Sequence, residues 1–120
     1  MLWNGGDDKP SPVDPRPVVT HDKFRALIVE ESADRSQLPK SQLEILTSVK
    51  LRTWLKNNGC EYRIWDKDVD ASHESKDWQS LLATDRKSLP WIDVRGKKKF
   101  DGPLPATVDA TITLLGKSKP

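Results

Sequence analysis

Sulfur and imidazole, the groups that most often act as nucleophiles or metal ligands, are scarce in this chain. Cys60 is the only cysteine, and His21 and His73 are the only histidines among 120 residues. One cysteine cannot close an internal disulfide, and one cysteine with two histidines cannot complete a zinc site built from four such ligands. The sequence therefore predicts no disulfide scaffold and no metal site, and we expect no cofactor.

Carboxylates offer a second kind of chemistry. Glu31 and Asp34 lie close together in a polar stretch of the chain. A pair of carboxyl groups can act in acid-base catalysis when burial raises the pKa of one of them. Because side chains in so polar a stretch are expected to stay in water, an enzyme that uses these two residues is an alternative function and not the favoured one.

Three further aspartates alternate at Asp66, Asp68 and Asp70, a spacing that resembles a calcium-binding loop. An EF-hand loop also requires a glycine at its sixth position and a glutamate at its twelfth. Counted from Asp66, those positions hold Ala71 and Asp77. The segment is therefore predicted to be a solvated loop that follows a strand.

A basic run from Arg95 to Lys99 lies near Trp91, an arrangement that could follow a phosphate backbone while the indole stacks on a base. Lysines on a hairpin also protect an edge strand from pairing with another chain. The chain has 20 Lys and Arg against 18 Asp and Glu, and a net charge of +2 does not by itself point to nucleic acid. We therefore expect no nucleic-acid partner, although an anionic surface would meet the protein at this run.

These residues need secondary structure to position them, and from Phe24 the chain alternates between strand-like and helix-like segments. The apolar run from Phe24 to Glu30 is typical of a central strand covered on both faces. A helix is predicted from Pro39 to Asn58, closed by Gly59 in the left-handed conformation. Helical spacing places four apolar residues on one side of it: Leu38, Ile45, Leu46 and Val49.

The remaining predicted elements are shorter. They are strands at Cys60 to Trp65, Pro90 to Val94 and Lys98 to Phe100, and helices at Lys76 to Ala83, capped by Ser75, and at Pro105 to Leu115, ended by Gly116. A strand-helix-strand start implies a right-handed parallel crossover, and the hairpin adds an antiparallel edge. The order β-α-β-α-β-β-α therefore predicts a three-layer α/β fold with a central mixed four-stranded sheet flanked by helices.

The two ends differ from this body. Residues 1–23 are rich in Pro, Gly and Asp and have too few apolar side chains to offset their ordering entropy, so we interpret them as a tail or linker. The domain is predicted over 24–116, and 117–120 as a polar C-terminal tail. Because no apolar run approaches the ~20 residues that cross a bilayer, we expect no membrane insertion of this chain. The compartment stays open: the domain is soluble and cytoplasmic, or tethered if an anchor precedes Met1.

The element order, together with the segment from Ser88 to Val94, resembles the thioredoxin and glutaredoxin superfamily over about Phe24 to Leu115. In that family the corresponding proline is cis and lies beside the active-site loop. The residue before it offers backbone groups to an extended peptide or to glutathione. The resemblance implies that Leu89 and Pro90 play these parts here, and that Gly102 lets the chain turn into the last helix.

The sulfur chemistry of that family is missing. Its redox members carry Cys-x-x-Cys or Cys-x-x-Ser between the first strand and the first helix. The loop from Glu30 to Gln37 holds no cysteine, so we do not expect thiol-disulfide exchange at the family site. Cys60 starts the second strand, far from the beginning of the first helix, and is interpreted as a small buried hydrophobic residue.

We therefore expect a redox-inactive thioredoxin-like domain that binds a protein or peptide in a groove beside Leu89 and Pro90. The expected groove residues combine a polar rim with a floor from the third strand: Ser32, Asp34, Arg35, Ser36, Leu89, Pro90 and Trp91. Arg35 is available in this arrangement for a ligand carboxylate. The alternatives are a structural module of a larger assembly without a ligand groove, and an enzyme that uses the loop carboxylates.

Overall fold

Four strands form one mixed sheet in the computed structural model, which describes residues 23–120. The strands are β1 (Arg25–Glu30), β2 (Glu61–Asp66), β3 (Trp91–Arg95) and β4 (Lys99–Pro103), in the spatial order β2-β1-β3-β4. β1 runs parallel to β2 and antiparallel to β3, and β3 runs antiparallel to β4. The expected mixed four-stranded sheet with its first strand inside is confirmed. The tail predicted over residues 1–23 lies, except for Lys23, outside the described residues.

Helices cover the sheet on both sides. They are α1 (Lys40–Thr47), α2 (Val49–Asn57), α3 (Lys76–Leu82) and α4 (Val108–Gly116), and a 3-10 helix spans Ser32–Gln37. One core joins Ala26 and Ile28 of β1 to apolar side chains of α1, α2 and α4, including Ile45, Leu55 and Leu115. A smaller core on the other face joins Leu27 and Val29 to Trp78 and Leu81 of α3. The continuous apolar run of β1 thus supplies both cores, as expected for a strand buried on two faces.

The single long helix predicted from Pro39 to Asn58 is wrong, because the chain divides it at Ser48. This residue is extended, with φ −69° and ψ 120°, and its side chain accepts a hydrogen bond from the backbone N–H of Leu51. A serine that satisfies a free N–H in this way begins a new helix and interrupts the preceding one. Val49, expected on the apolar side, is 76% exposed at the start of α2.

Turns and ends also differ in part from the prediction. Gly59 has φ +68°, the predicted left-handed conformation after α2. Gly102 does not form the turn implied by the resemblance, because it lies within β4 opposite Ile92. The last helix begins three residues later than predicted, at Val108, because the Thr107 side chain accepts a hydrogen bond from Ala110 N–H and caps it.

The C-terminal residues contact the domain. Ser118, predicted to lie in a polar tail, is 2% exposed, and its carbonyl accepts a hydrogen bond of 2.8 Å from the N–H of Lys97. Gly96 lies so close that a Cβ added there would come within 2.1 Å of the Ser118 carbonyl oxygen. The end of the chain is therefore fixed against the β3-β4 turn. Among residues 23–120, no helix is long and apolar enough to span a bilayer.

Candidate functional site

A groove opens at the edge of the sheet where β1 and β2 end and β3 begins. It has a volume of about 430 Å³. Two chain segments form most of its walls: the residues that follow β1, and the loop that leads into β3. The lining residues are Glu30, Glu31, Asp34, Leu38, Lys67, Arg86, Lys87, Ser88, Leu89 and Pro90. The groove therefore lies beside the loop that follows β1.

The peptide bond between Leu89 and Pro90 is cis, as the resemblance implies. Pro90 is buried, and its carbonyl accepts a hydrogen bond of 3.0 Å from the N–H of Leu104. The next residue begins β3, paired with Val29 of β1. Leu89 is half-buried and packs against the smaller core. The proline is thus held by the sheet, while the residue before it remains at the groove.

Ser88 and Leu89 are the part of the groove wall whose backbone is unpaired among the described residues. Neither residue's N–H or C=O forms a backbone hydrogen bond with any other residue in the range 23–120. Unpaired backbone groups beside a groove are donors and acceptors that an extended peptide can satisfy, since its own backbone carries the complementary groups. This short segment is therefore the part of the groove best suited to recognise main chain.

Glu30 and Arg35 form a bidentate ion pair beside the groove. Glu30 is 2% exposed, and its Oε1 lies 2.6 Å from the Nε of Arg35, while Oε2 accepts from Nη2. The hydrogen bond to Glu30 raises the pKa of Arg35. Arg35, predicted to receive a ligand carboxylate, thus already holds one from its own chain and does not line the groove. A buried carboxylate needs such a partner because desolvation of an unpaired charge is costly.

The loop between β1 and α1 is tied down by two further carboxylates. Asp66, at the end of β2, accepts hydrogen bonds from the backbone N–H of Ser32 at 2.8 Å and of Asp68 at 2.9 Å, and these bonds lower the pKa of Asp66. Glu31 lies 3.1 Å from the Nζ of Lys67. Parallel pairing of β1 and β2 brings these residues together, because both strands end at the same edge. The loop is therefore fixed to the strand next to it.

The opposite wall is basic. Arg86 and Lys87 line the groove, and neither forms an ion pair with another residue of the described part of the chain. The guanidinium of Arg86 donates to the carbonyl of Thr84 at 3.0 Å, which orients it. Across the groove, Glu30 and Glu31 each pair with a basic side chain, whereas the exposed Asp34 has no ion pair with another described residue. The charge left for a ligand on the Arg86 side is therefore positive.

The structure brings together part of the predicted site. Asp34, Leu89 and Pro90 line the groove, whereas four other predicted residues do not: Ser32, Arg35, Ser36 and Trp91. The other lining residues were not among the predicted site residues: Glu30, Glu31, Leu38, Lys67, Arg86, Lys87 and Ser88. Lys67 could have been found from topology, because it follows β2 at the same sheet edge as the end of β1.

Trp91, predicted to form the groove floor, is 6% exposed and lies opposite Val29 on the face that α3 covers. Two positions further along β3, Asp93 is fully buried on the same face. Neither the Trp91 Nε1 nor either Asp93 carboxyl oxygen has a hydrogen-bond partner in the part of the chain described. Desolvation raises the pKa of Asp93 to about 6; the positive charges of Arg95 and Arg86 oppose this shift and the negative charge of Asp101 adds to it. The strand behind the groove thus carries an unusual buried acid.

Cys60 lies at the other end of the sheet. It precedes β2, whose first residue pairs with Arg25 at the start of β1, whereas the groove lies where β1 ends. The side chain is 5% exposed, and desolvation, with a smaller contribution from Glu61, raises the pKa of the thiol to about 12. Since the thiolate is the nucleophile, this thiol is unreactive at neutral pH.

The other chemistries considered from the sequence find little support in the geometry. Asp34 is exposed and Glu31 is engaged by Lys67, so nothing sets this pair up for acid-base catalysis. Asp66 and Asp70 accept hydrogen bonds from nearby backbone N–H groups. Within residues 23–120, no three His, Cys, Asp or Glu side chains are grouped as a metal site would require.

Comparisons with known proteins do not assign a family. No protein-family model matches the chain, and no curated protein or solved structure matches it. Its function is therefore inferred from the groove itself, the unpaired backbone beside the proline and the charges on the two walls.

Proposed function

We propose that this chain is a redox-inactive domain of the thioredoxin and glutaredoxin type that binds an extended segment of a partner protein in the groove beside Leu89 and Pro90. The sheet order and the strand directions are compatible with that layout. The loop that would carry the catalytic cysteines has none, and the one thiol of the chain is buried at the opposite end of the sheet. What is retained is the binding part of such a scaffold.

The observation that carries the proposal is the open backbone of Ser88 and Leu89 at the wall of the groove. An extended peptide that runs past Leu89 would pair its own N–H and C=O groups with those of this residue. Each such hydrogen bond contributes about 1 kcal/mol net, so main chain alone gives weak and unspecific binding. Side-chain contacts must supply the selectivity.

The basic wall supplies one such contact. Arg86 is oriented by its bond to Thr84, and Lys87 lies beside it without an ion-pair partner among the described residues. A carboxylate on the bound segment can be held by Arg86 in a bidentate pair. Peptides with an acidic side chain next to the stretch that pairs with Leu89 are therefore the favoured ligands.

A library of random peptides displayed on phage tests the proposal. We expect selected peptides to carry an acidic residue and to shift the amide NMR signals of residues 86–89 and 30–38. N-methylation of the peptide nitrogen that pairs with Leu89 should weaken binding about 10-fold, the value of one lost hydrogen bond with its desolvated partner.

One variant tests the charge contact, and a second variant with the same loss of charge is its control. Arg86→Ala should weaken the selected peptide about 10-fold, because a charge-assisted hydrogen bond is lost. Lys56→Ala removes the same charge from an exposed position of α2 outside the groove and should leave affinity unchanged. Selected peptides whose amide NMR shifts map away from residues 86–89, or equal losses in both variants, would contradict the proposal.

A further inference from the structure

The end of the domain opposite the groove carries a concentrated positive charge. The β3-β4 turn contributes Arg95, Lys97, Lys98 and Lys99. The chain end adds Lys117 and Lys119, because the Ser118 carbonyl between them accepts the hydrogen bond from Lys97 N–H at 2.8 Å. We call these six residues the basic end.

Residues far apart in the sequence are thus joined into one surface. The five lysines of the basic end are exposed, and Arg95 is half-buried. None of the six forms an ion pair with another residue between 23 and 120. Residues 23–120 hold 18 basic and 14 acidic side chains, so 12 basic residues remain beside 14 acidic ones outside the basic end. Among the described residues, the excess of positive charge is therefore located at the basic end.

We propose that the basic end docks on a membrane surface that contains anionic lipids. Exposed lysines in a cluster suit the diffuse charge of a lipid headgroup layer, and each basic residue near such a surface strengthens binding about fivefold. Phe100 follows Lys99 directly and is 36% exposed, with its ring lying over Gly102 of the same strand. The charge of the lysines, rather than this ring, is therefore what suits an anionic surface.

A nucleic acid fits the same charge less well. Recognition of single strands uses successive aromatic rings on which bases stack, whereas this run has a single partly exposed ring beside it, Phe100, and Trp91 is 6% exposed. Base readout in duplexes relies largely on the planar fork of arginine or on amide side chains, whereas five of the six basic residues here are lysines. The lipid surface is therefore the partner that the composition of the basic end favours.

Docking in this way leaves the groove accessible. Arg25 and Arg95 pair at one end of the strands and Val29 and Trp91 pair at the other, where the groove opens. β1 has six residues, so the two sites are separated by about 17 Å or more along the sheet. A domain held at the basic end would present the groove away from the membrane, although lipid binding does not depend on what the groove binds.

Sedimentation of the full chain with vesicles tests the inference. Vesicles of phosphatidylcholine with about 30% phosphatidylserine should bind the protein, vesicles of phosphatidylcholine alone should not, and added salt should weaken binding. The triple variant Lys97→Gln, Lys98→Gln, Lys99→Gln should lose about 100-fold in affinity.

A control variant with the same loss of charge distinguishes an effect of the basic end from an effect of the protein's net charge. Lys40→Gln, Lys56→Gln, Lys76→Gln removes three exposed lysines from helices outside the basic end and should keep wild-type vesicle binding. An equal loss in both triple variants would overturn the proposal. The proposal would also be overturned if the protein did not bind phosphatidylserine vesicles, whether or not it bound duplex or single-stranded nucleic acid.

Discussion

Replacing the buried acid of β3 by its amide, Asp93→Asn, should stabilise the protein at neutral pH. Asp93 is fully buried and its carboxyl oxygens have no hydrogen-bond partner among residues 23–120. Its neighbours on the same face include Asp101 across the β3-β4 pair, whose charge also disfavours the carboxylate. Asparagine keeps the shape of the side chain and removes the charge.

The magnitude follows from the pKa. Desolvation raises the pKa of Asp93 from its ordinary 3.8 to about 6. The folded state therefore holds a proton over a pH range in which the unfolded state has released it, and the free energy of unfolding decreases as the pH rises from about 4 to about 6. A pKa of about 6 in the folded state, against 3.8 in the unfolded state, lowers the free energy of unfolding by about 3 kcal/mol at pH 7 and above.

Urea denaturation of both proteins, followed by tryptophan fluorescence between pH 4 and pH 8, measures this effect. The variant should match the wild type near pH 4 and exceed it by about 3 kcal/mol at pH 8. Asp101→Asn, a change of the same type at an exposed neighbour, should give a much smaller gain. A difference that does not change with pH, or an Asp93→Asn variant that is less stable throughout, would refute the reasoning.

Two other predictions concern single contacts. Arg35→Gln should lower the free energy of unfolding by about 3 kcal/mol, because it leaves the buried Glu30 carboxylate without its partner. In chemical denaturation, the double variant Arg35→Gln, Glu30→Gln should recover most of this loss. A double variant as unstable as the single one would show that the unpaired charge is not the cause. Cys60 should react with iodoacetamide at pH 8 at least about 100-fold more slowly in the folded protein than in urea, since burial raises the pKa of its thiol to about 12. Similar reaction rates in both states would place the thiol at the surface.

Much of the fold was predictable because its strands have strong local patterns. The apolar run before Glu30 indicated a strand covered on two faces, and β1 indeed supplies both cores. The break at Ser48 was not predictable from periodicity, because apolar residues continue at helical spacing on both sides of it. Only the competition between a side-chain cap and the helix backbone decides that position.

The candidate site was predictable where the chain itself is distinctive. The proline before β3 indicated Leu89 and Pro90, and both line the groove. The sequence did not show that Glu30 is buried and forms an ion pair with Arg35, since a polar run is expected to lie in water. Lys67 comes to the groove because β1 and β2 pair in parallel, so the predicted topology implied its position although no local motif indicates it.

Hydrogen exchange at one amide tests the central claim most directly. The N–H of Leu89 forms no backbone hydrogen bond with another described residue, so it should exchange quickly in the free protein. In the presence of a saturating peptide selected by the domain, its exchange should slow by at least about 10-fold, because the peptide backbone now accepts its hydrogen bond. Unchanged exchange at Leu89 while the peptide is bound would mean that this groove does not recognise main chain.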